Sequence, residues 1–411
     1  ILFDPAEQKM TYSSFKPFEQ SMATEQEPGV IIFKGSFGGL SLHSGNVLTI
    51  RDPYRDNCGA FISLSKNISL DHLKMHYMHG LGIVAQFSEN LSYKNVRVAP
   101  PENSGRIISS FADCFHFSGC KGKILIDSCL SSGSHDDPIN VHGTHLKITE
   151  MTEAGKIRVR FMHHQTYGFN AFFKADSIAF IDPQTLKPLA YAKLRNARLL
   201  NLREMELELD PSILKNIPMG TCIENISWTP EVVIKNSRFE RTNTRGILVT
   251  TRRKVLIENN VFYKTGMHAI LIANDASGWY ESGAVSDVTI RNNIFEECGY
   301  NSAPGGYVIS IAPENHKKFE GYYVHRNIRI ENNVFKVSAP AILGARSVQG
   351  LIFRNNKVEQ TGNKISGAQV PCIRLDGCNN VSITQNSFRT SWTPKVDAKG
   401  MENAKLNTDI K

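Results

Sequence analysis

A six-residue pattern, Ile-x-Asn-Asn-x-Phe with close variants, recurs along the second half of the chain and limits its fold more than any other feature. The start positions are 23, 33, 40, 23 and 30 residues apart, so a basic unit of 23 residues is lengthened by loops in some repeats. A period of this size is typical of a solenoid, in which each repeat packs on the next. The repeats begin at Ile234, Ile257, Ile290, Ile330, Phe353 and Ile383.

The residues within each repeat predict strands rather than helices. Aliphatic side chains alternate at the start of the units, as in Val255 and Ile257 or Val288 and Ile290, which is strand periodicity. Asn at a fixed offset indicates a stacked turn, because Asn tolerates left-handed backbone angles. We therefore predict an all-β chain built as a parallel β-helix. An antiparallel β-sandwich is the alternative, but it would not require Ile, Asn and Phe in a fixed register.

The pattern is interrupted once, which predicts an insertion. After His142 the coils stop, and from about Leu146 to Ser227 the strands are longer and strongly alternating, as expected for a small β-barrel or sandwich. The chain starts at Ile1 without Met or a signal sequence, so we expect a processed product or a fragment. The predicted segments are N-terminal strands that remain from an upstream β region at 1–60, coils at 61–145, the insertion at 146–228, further coils at 229–392 and a polar tail at 393–411.

Composition excludes several classes of protein. The net charge is +8 among 411 residues, but the Lys and Arg residues are scattered, so we expect no nucleic-acid partner. No apolar run approaches ~20 residues, so we expect no membrane span. The eight cysteines form no Cys-x-x-Cys pair and no zinc-like cluster with His. Buried free thiols are favoured over disulfides.

Three acidic residues stand out against this basic background. Asp113 lies in Ala-Asp-Cys-Phe-His-Phe, and Asp136 and Asp137 lie in Ser-His-Asp-Asp-Pro-Ile-Asn-Val-His-Gly. The repeat period predicts that Asp113 stacks directly over the pair. Aligning later coils puts Arg245 and His268 at the same corner, on rungs that are about 4.8 Å apart. We therefore predict a site with three crowded carboxylates.

Crowded carboxylates suit glycoside hydrolysis, which needs one protonated acid and one ionised group. Neighbouring like charges raise one pKa and so separate the two roles. The hypothesis is that Asp113 and Asp137 hold the water and Asp136 acts as the acid, although the reverse assignment of the two roles is nearly as well supported. The alternative is a structural role for these residues, in which they cap turns or bind a structural Ca²⁺.

The acidic motifs, the insertion and the later segment Asn-Asp-Ala-Ser-Gly-Trp-Tyr-Glu-Ser-Gly resemble the inverting α-1,3-galactosidases of glycoside hydrolase family 110. The resemblance covers essentially all 411 residues and implies a right-handed β-helix, catalysis by Asp113, Asp136 and Asp137, and removal of terminal α-1,3-galactose from blood-group-B-type or linear glycans. It also implies a bacterial protein exported to the periplasm or cell surface. The match to the polygalacturonases is looser, since Met267-His268-Ala269 stands where that family has Gly-His-Gly, and Arg252-Arg253-Lys254 where it has Arg-Ile-Lys.

Further residues are predicted to bind the sugar, because they lie at the catalytic corner, follow the acidic pair on the same strand face, or belong to the loop that carries an aromatic residue. No cofactor or metal is expected for hydrolysis of a neutral sugar. A Ca²⁺-dependent polysaccharide lyase and a non-catalytic glycan-binding solenoid remain as alternatives from other classes. The predicted binding residues are Asn140, His142, Arg245, His268, Asp275, Trp279 and Glu281.

Overall fold

The computed structural model describes residues 1–13, 22–35, 43–51, 54–301, 306–362 and 370–410. Nearly all regular structure within these ranges is β-strand. The helices among them are one short α-helix, α1 (Pro211–Leu214), and a 3₁₀ turn at Asn403–Lys405. Neither is long and apolar enough to cross a membrane.

The strands fall into four groups along the chain. The N-terminal strands are β1 (Leu2–Asp4), β2 (Lys9–Thr11), β3 (Met22–Glu27), β4 (Val30–Lys34) and β5 (Val47–Leu48). The first coils contain β6 (Cys58–Ser63), β7 (Lys66–Asp71), β8 (Lys74–Met75), β9 (Leu81–Gln86), β10 (Glu89–Lys94), β11 (Arg97–Val98), β12 (Phe115–Ser118), β13 (Lys121–Asp127) and β14 (Leu130–Ser132). The insertion contains β15 (Ile139–Met151), β16 (Lys156–Arg160), β17 (Ser177–Ile181), β18 (Pro188–Lys193), β19 (Asn196–Asn201), β20 (Glu204–Glu208) and β21 (Cys222–Asn225).

The later coils complete the strand inventory. They contain β22 (Pro230–Lys235), β23 (Arg238–Thr242), β24 (Ile247–Val249), β25 (Val255–Glu258), β26 (Val261–Thr265), β27 (Ile270–Ile272), β28 (Glu281–Ser282), β29 (Val288–Arg291), β30 (Ile294–Glu296), β31 (Ile309–Ile311), β32 (His325–Glu331), β33 (Val334–Val337), β34 (Leu343–Arg346), β35 (Val348–Arg354), β36 (Lys357–Gln360), β37 (Ile373–Asp376), β38 (Asn379–Thr384), β39 (Ser387–Arg389), β40 (Val396–Lys399) and β41 (Leu406–Thr408).

The coils stack into three parallel faces, which confirms the predicted parallel β-helix. One face runs from β7 to β41 and a second from β8 to β39. The third face joins β6, β9, β12, β15, β24, β27, β31, β34, β37 and β40 in parallel register. The predicted polar tail therefore contributes strands β40 and β41 to a last coil.

The Ile-x-Asn-Asn-x-Phe repeat explains this stacking residue by residue. The first Asn takes a left-handed backbone angle, as at Asn292 with φ 55°. The second Asn is buried, and the Asn293 amide donates to Asn333 Oδ1 at 3.0 Å and to a backbone carbonyl, so its polar groups are paired. The Phe rings stack inside the coil, with Phe262 and Phe295 centroids 4.9 Å apart. Each motif position thus has its own structural role.

The insertion is a rolled antiparallel sheet in the order β19-β20-β16-β15-β21-β17-β18. Side chains from both end strands pack on one core that contains Phe161, Phe172 and Phe180. Strand β15 belongs to both units. It pairs with β24 of the β-helix through Ile139 to Val141 and with β16 of the insertion through Lys147 to Met151, so the insertion is anchored beside the corner that precedes β15.

All eight cysteines are free, and six of them are buried. The prediction of buried free thiols is therefore confirmed for those six, whereas Cys58 is exposed and Cys298 is partly buried. Burial raises the pKa of Cys120 to about 12, so this thiol is inert at neutral pH.

Candidate active site

The predicted corner residues lie on successive coils of the third face. The first residues of β12, β15, β24 and β27 are in direct register. Counting back two residues from each of these strand starts gives Asp113, Asp137, Arg245 and His268. The repeat spacing therefore predicted correctly which residues share this corner.

The three acidic side chains converge at this corner. One carboxylate oxygen from each of Asp113, Asp136 and Asp137 lies within 4.8 Å of the others. Their exposure differs, because the Asp136 side chain is 22% accessible whereas the Asp113 and Asp137 side chains are 9% and 1% accessible. Asp136 is thus the carboxylate that an entering substrate meets most readily.

Arg245 supplies positive charge from the next coil. Its Nε donates to Asp137 Oδ1 at 2.8 Å, and its Nη2 lies 3.6 Å from Asp136 Oδ1. Burial raises the pKa of Asp137, while the guanidinium of Arg245 opposes that shift. Asp137 Oδ2 is buried and has no hydrogen-bond partner among the described residues. One oxygen of Asp137 is therefore anchored, and the other is a buried acceptor that no described residue uses.

Asp113 is held by a chain of two histidines. Asp113 Oδ2 lies 2.8 Å from His116 Nδ1, and His116 Nε2 lies 3.2 Å from His142 Nε2. His142 Nδ1 lies 2.7 Å from the carbonyl oxygen of Gly143, which requires Nδ1 to carry the proton. Burial lowers the pKa of His142 and keeps it neutral, so its Nε2 must accept. His116 then donates from both nitrogens and is an imidazolium.

The pKa shifts agree with this proton assignment. Burial acts to lower the pKa of His116, but the hydrogen bond to Asp113 and the carboxylate charge outweigh it and raise the pKa. Burial likewise acts to raise the pKa of Asp113, but the hydrogen bond and charge of His116 hold it below the ordinary value. Asp113 is therefore an ionised carboxylate in the resting site.

Asp136 has the opposite tendency. Burial and the nearby Asp113 charge raise its pKa, while Arg245 and Arg55 oppose the shift. Arg55 Nη1 lies 2.6 Å from Asp136 Oδ2, and Arg55 Nη2 donates to Gln165 of the insertion at 3.3 Å. Three carboxylates this close could also hold a cation, but the two arginines and His116 already supply positive charge around them.

The predicted sugar-binding residues divide into two groups by location. Asn140 and Glu281 lie beside the acidic cluster, where Asn140 Nδ2 donates to Glu281 Oε1 at 3.3 Å. Glu281 Oε1 is also 3.6 Å from His142 Nε2. His268 donates from Nδ1 to the carbonyl oxygen of Tyr307 at 2.6 Å, since a carbonyl can only accept. Its Nε2 is therefore the acceptor in the neutral ring.

The loop before β28 holds the second group. Trp279 is 47% exposed, and its ring centroid lies 4.2 Å from that of His163 in the insertion. Asp275 is 4% exposed, and its carboxylate accepts from the backbone N–H groups of Ser277, Gly278 and Tyr280. Asp275 thus shapes the loop that presents Trp279. The sequence analysis had instead predicted that its carboxylate would accept hydrogen bonds from sugar hydroxyls.

Comparison with known proteins identifies the family. Residues 220–388 match the family described as a right-handed β-helix region, and residues 156–223 match the GLAA-B beta-barrel domain II. The Alpha-1,3-galactosidase A of Bacteroides fragilis (strain YCH46) is 46% identical over 416 residues, covering 100% of this chain and 68% of that protein. The chain belongs to the α-1,3-galactosidase family. The resemblance predicted from the acidic motifs is confirmed, as are the right-handed β-helix and the barrel.

Two further relatives show lower identity. The Alpha-1,3-galactosidase A of Bacteroides thetaiotaomicron is 40% identical, covering 92% of this chain and 66% of the relative. The Alpha-1,3-galactosidase A of Akkermansia muciniphila is 41% identical, covering 86% of this chain and 58% of the relative. Membership of the α-1,3-galactosidase family makes the chain a glycoside hydrolase.

Three residues of this galactosidase-family site were missed by the sequence analysis. His116 lies three residues after Asp113, and that spacing at the start of a strand was an available signal. Arg55 and His163 come from segments outside the repeat, at the N-terminal side and in the insertion. No periodic pattern connects either of them to the corner.

Proposed function

We propose that the protein removes terminal α-1,3-linked galactose from glycans by a single inverting displacement at the anomeric carbon. The observation that carries the proposal is the division of charge within the acidic cluster: Asp113 is held ionised by His116, whereas burial and neighbouring charge raise the pKa of the more exposed Asp136. A glycosidase needs this pair of protonation states. Membership of the α-1,3-galactosidase family supports galactose as the sugar that is released.

Asp113 and Asp137 are assigned to the attacking water. Asp137 accepts a hydrogen bond from the water, and Asp113 takes one water proton as the water oxygen bonds to C1. The other hydrogen stays on the new anomeric hydroxyl. Asp136 gives its proton to the glycosidic oxygen as the bond from C1 to that oxygen breaks. Burial raises the pKa of Asp137 as well, and both Asp136 and Asp137 lie beside arginines, so the ion pairs do not separate their roles. Asp136 is assigned as the acid because its side chain is 22% accessible, against 1% for Asp137, and can reach the glycosidic oxygen.

The distances within the cluster bear on stereochemistry. The nearest oxygens lie within 4.8 Å, which is closer to the ~5–5.5 Å typical of retaining enzymes than to the ~6.5–9.5 Å of inverting ones. The wider spacing of inverting enzymes leaves room for a water between the acid and a single base. Here two carboxylates lie beside the acid, and we propose that they hold the water together. The proposal of inversion rests on the resemblance to family 110 and on this third carboxylate.

The proposed substrates are blood-group-B-type and linear galactosyl-α-1,3-galactose glycans, which would place the protein in the periplasm or at the surface of a bacterium. Asn140, Glu281, Arg245 and His268 offer donors and acceptors for the hydroxyls of one galactose. Trp279 offers an apolar face beside them. Because no cofactor enters this displacement, the side chains provide all of the acid and base chemistry.

Removal of the exposed indole is expected to weaken substrate binding more than turnover. Trp279→Ala should raise KM roughly 5–10-fold, the equivalent of a lost aromatic contact of ~1–1.5 kcal/mol, with kcat changed less than ~3-fold. Steady-state kinetics on galactosyl-α-1,3-galactose measures both constants. Tyr191→Ala removes an aromatic side chain that is 58% exposed on the insertion and should leave KM unchanged. Equal changes in KM for the two variants would show that Trp279 does not contact the substrate.

The pH dependence of kcat/KM should be bell-shaped, because Asp113 must be ionised and Asp136 protonated. Activity falls on the acid side as Asp113 takes up a proton and on the alkaline side as Asp136 loses one, with each limb reporting the coupled cluster. His116→Gln removes the cation that lowers the pKa of Asp113, so the acid limb should move to higher pH. An unmoved acid limb in this variant would contradict the role of His116.

The test of the substrate class compares linkage isomers. Purified protein is incubated with galactosyl-α-1,3-, α-1,4- and α-1,6-galactose, and released galactose is quantified by chromatography. Release from the α-1,3 isomer, with at least ~10²-fold lower kcat/KM on the others, is expected. Asp113→Asn and Asp137→Asn should each lower the α-1,3 rate by about 10²-fold or more, whereas Asp71→Asn, on the exposed side of an early coil, should not. Equal release from all three isomers would overturn the assignment.

A further inference from the structure

A cavity of about 540 Å³ lies on the outer face of the inserted barrel, apart from the acidic cluster. Its lining includes Lys147 and Thr149 from β15, Arg160 at the end of β16, and His164 and Arg203 from the adjoining loops. Phe161 and Met162 add apolar surface. A pocket of this size with an apolar wall and a few convergent polar groups is typical of a small-molecule or sugar site.

The charges in this cavity are unusual. Lys147 and Arg160 lie directly opposite each other on β15 and β16, and like charges in cross-strand positions are destabilising. Among the residues that the structure describes, no carboxylate lines the cavity. Glu204 pairs with Arg160 on the other neighbouring strand, but its carboxylate accepts from Asn201 Nδ2 at 3.0 Å. Within the described part of the chain, neither Lys147 nor Arg160 forms an ion pair.

The third cation is held rigidly in place. Arg203 donates from Nη1 to the carbonyl oxygen of His163 at 2.8 Å and from Nη2 to that of His164 at 3.0 Å. Its guanidinium also lies over the Tyr167 ring, 3.9 Å from the centroid. A fixed arginine beside two unpaired cations offers an anion charge-assisted hydrogen bonds. The cavity therefore has the electrostatics of an anion site.

Two elements connect the cavity to the acidic corner. Strand β15 carries Asn140 at the corner and Lys147 at the cavity, a distance of at most about 23 Å along an extended strand. The loop after β16 has two sides: His163 and Gln165 contact Trp279 and Arg55 near the corner, while Met162 and His164 line the cavity. An oligosaccharide whose terminal sugar lies at the corner would reach the cavity through its inner sugars.

We propose that this cavity binds the acidic group of an anionic oligosaccharide, either a carboxylate or a sulfate ester on an inner sugar, while its terminal α-galactose occupies the acidic corner. Met162, which is 40% exposed, offers apolar surface to the sugar ring that carries the acid. This assignment rests on the proposed galactosidase function and extends it to a preference for acidic glycans.

The experiment uses three oligosaccharides of equal length that end in galactosyl-α-1,3-galactose. One is neutral, one carries a carboxylate on an inner sugar, and one carries a sulfate ester there. The protein should show a lower KM for at least one acidic substrate than for the neutral one, and that advantage should shrink with added salt. The acidic substrate with the lower KM shows whether the cavity recognises a carboxylate or a sulfate ester.

The variant Lys147→Gln/Arg160→Gln should raise KM for the preferred acidic substrate about 10-fold, as loss of two partly exposed charge contacts predicts. Its kinetics on the neutral substrate should be unchanged. The control Lys156→Gln/Lys193→Gln removes the same net charge from the barrel outside the cavity and should leave the acidic preference intact. An equal loss in the control, or no acidic preference in the unaltered protein, would overturn the proposal.

Failure of the galactosidase function would be separately visible. If no substrate releases galactose, calorimetric titration of the unaltered chain with the three oligosaccharides still tests the cavity. Tighter binding of an acidic oligosaccharide that disappears in the Lys147→Gln/Arg160→Gln variant supports the anion site. Equal binding of all three oligosaccharides contradicts it.

Discussion

Asp136→Asn is expected to lower kcat on galactosyl-α-1,3-galactose by about 10²–10⁴-fold, the contribution typical of a positioned general acid. The sugar leaving group is a poor one and needs the proton, so the loss should be near the upper end of that range. Aryl α-galactosides with acidic phenols leave without protonation. On those substrates the variant should retain most of its activity.

The leaving-group dependence separates the acid from the base. Asp113→Asn removes the group that accepts the water proton, so its loss should be similar for sugar and aryl leaving groups. Steady-state kinetics on both substrate types, with circular dichroism to verify folding, makes the comparison. If the aryl substrate restored activity to Asp113→Asn but not to Asp136→Asn, Asp113 would be the acid and Asp136 the base.

Arg245→Met should destabilise the protein as well as inactivate it. The substitution keeps an apolar stem but leaves Asp137, with 1% side-chain accessibility, without its 2.8 Å partner. Breaking a buried ion pair by removing one partner costs about 3–5 kcal/mol, because the remaining charge is uncompensated. Arg245 is partly accessible, at 31%, so the lower end of this range is expected. Urea denaturation followed by circular dichroism measures the change.

A double-mutant cycle tests whether the loss arises from the pair itself. Asp137→Asn in the Arg245→Met background removes the orphaned charge and should recover a large part of the lost free energy of unfolding, giving a clear coupling energy. Arg291→Met, which loses the partly exposed ion pair to Glu258, should cost less than ~1 kcal/mol. Additive effects of Arg245→Met and Asp137→Asn would show that the two side chains do not stabilise each other.

The repeat made the stacking of the corner predictable. A parallel coil fixes register, so residues at the same offset from a strand start lie over one another, and Asp113, Asp137, Arg245 and His268 follow that rule. The insertion was also predictable from the sequence, because the change from short coils to long alternating strands marks its start. The position of β15 in both units explains why the acidic motif stands beside the barrel.

What the sequence did not predict comes from contacts that no period relates. Arg55 reaches Asp136 from a segment before the first coil, and His163 meets Trp279 from a loop of the insertion. The cavity depends on Lys147 and Arg160 being opposite each other across an antiparallel pair, a register that the lengths of the intervening turns determine. The sequence predicted Asp275 as a sugar ligand, but its carboxylate accepts hydrogen bonds from the backbone N–H groups of Ser277, Gly278 and Tyr280.

The anomer of galactose formed first tests the mechanism most directly. Proton NMR during the first minutes of hydrolysis of galactosyl-α-1,3-galactose distinguishes the two anomers before they equilibrate in solution. Attack by a water held between Asp113 and Asp137 on the face opposite the leaving group predicts that β-galactose appears first. Initial release of α-galactose would contradict this account and would make one of the three carboxylates a nucleophile that forms a covalent intermediate.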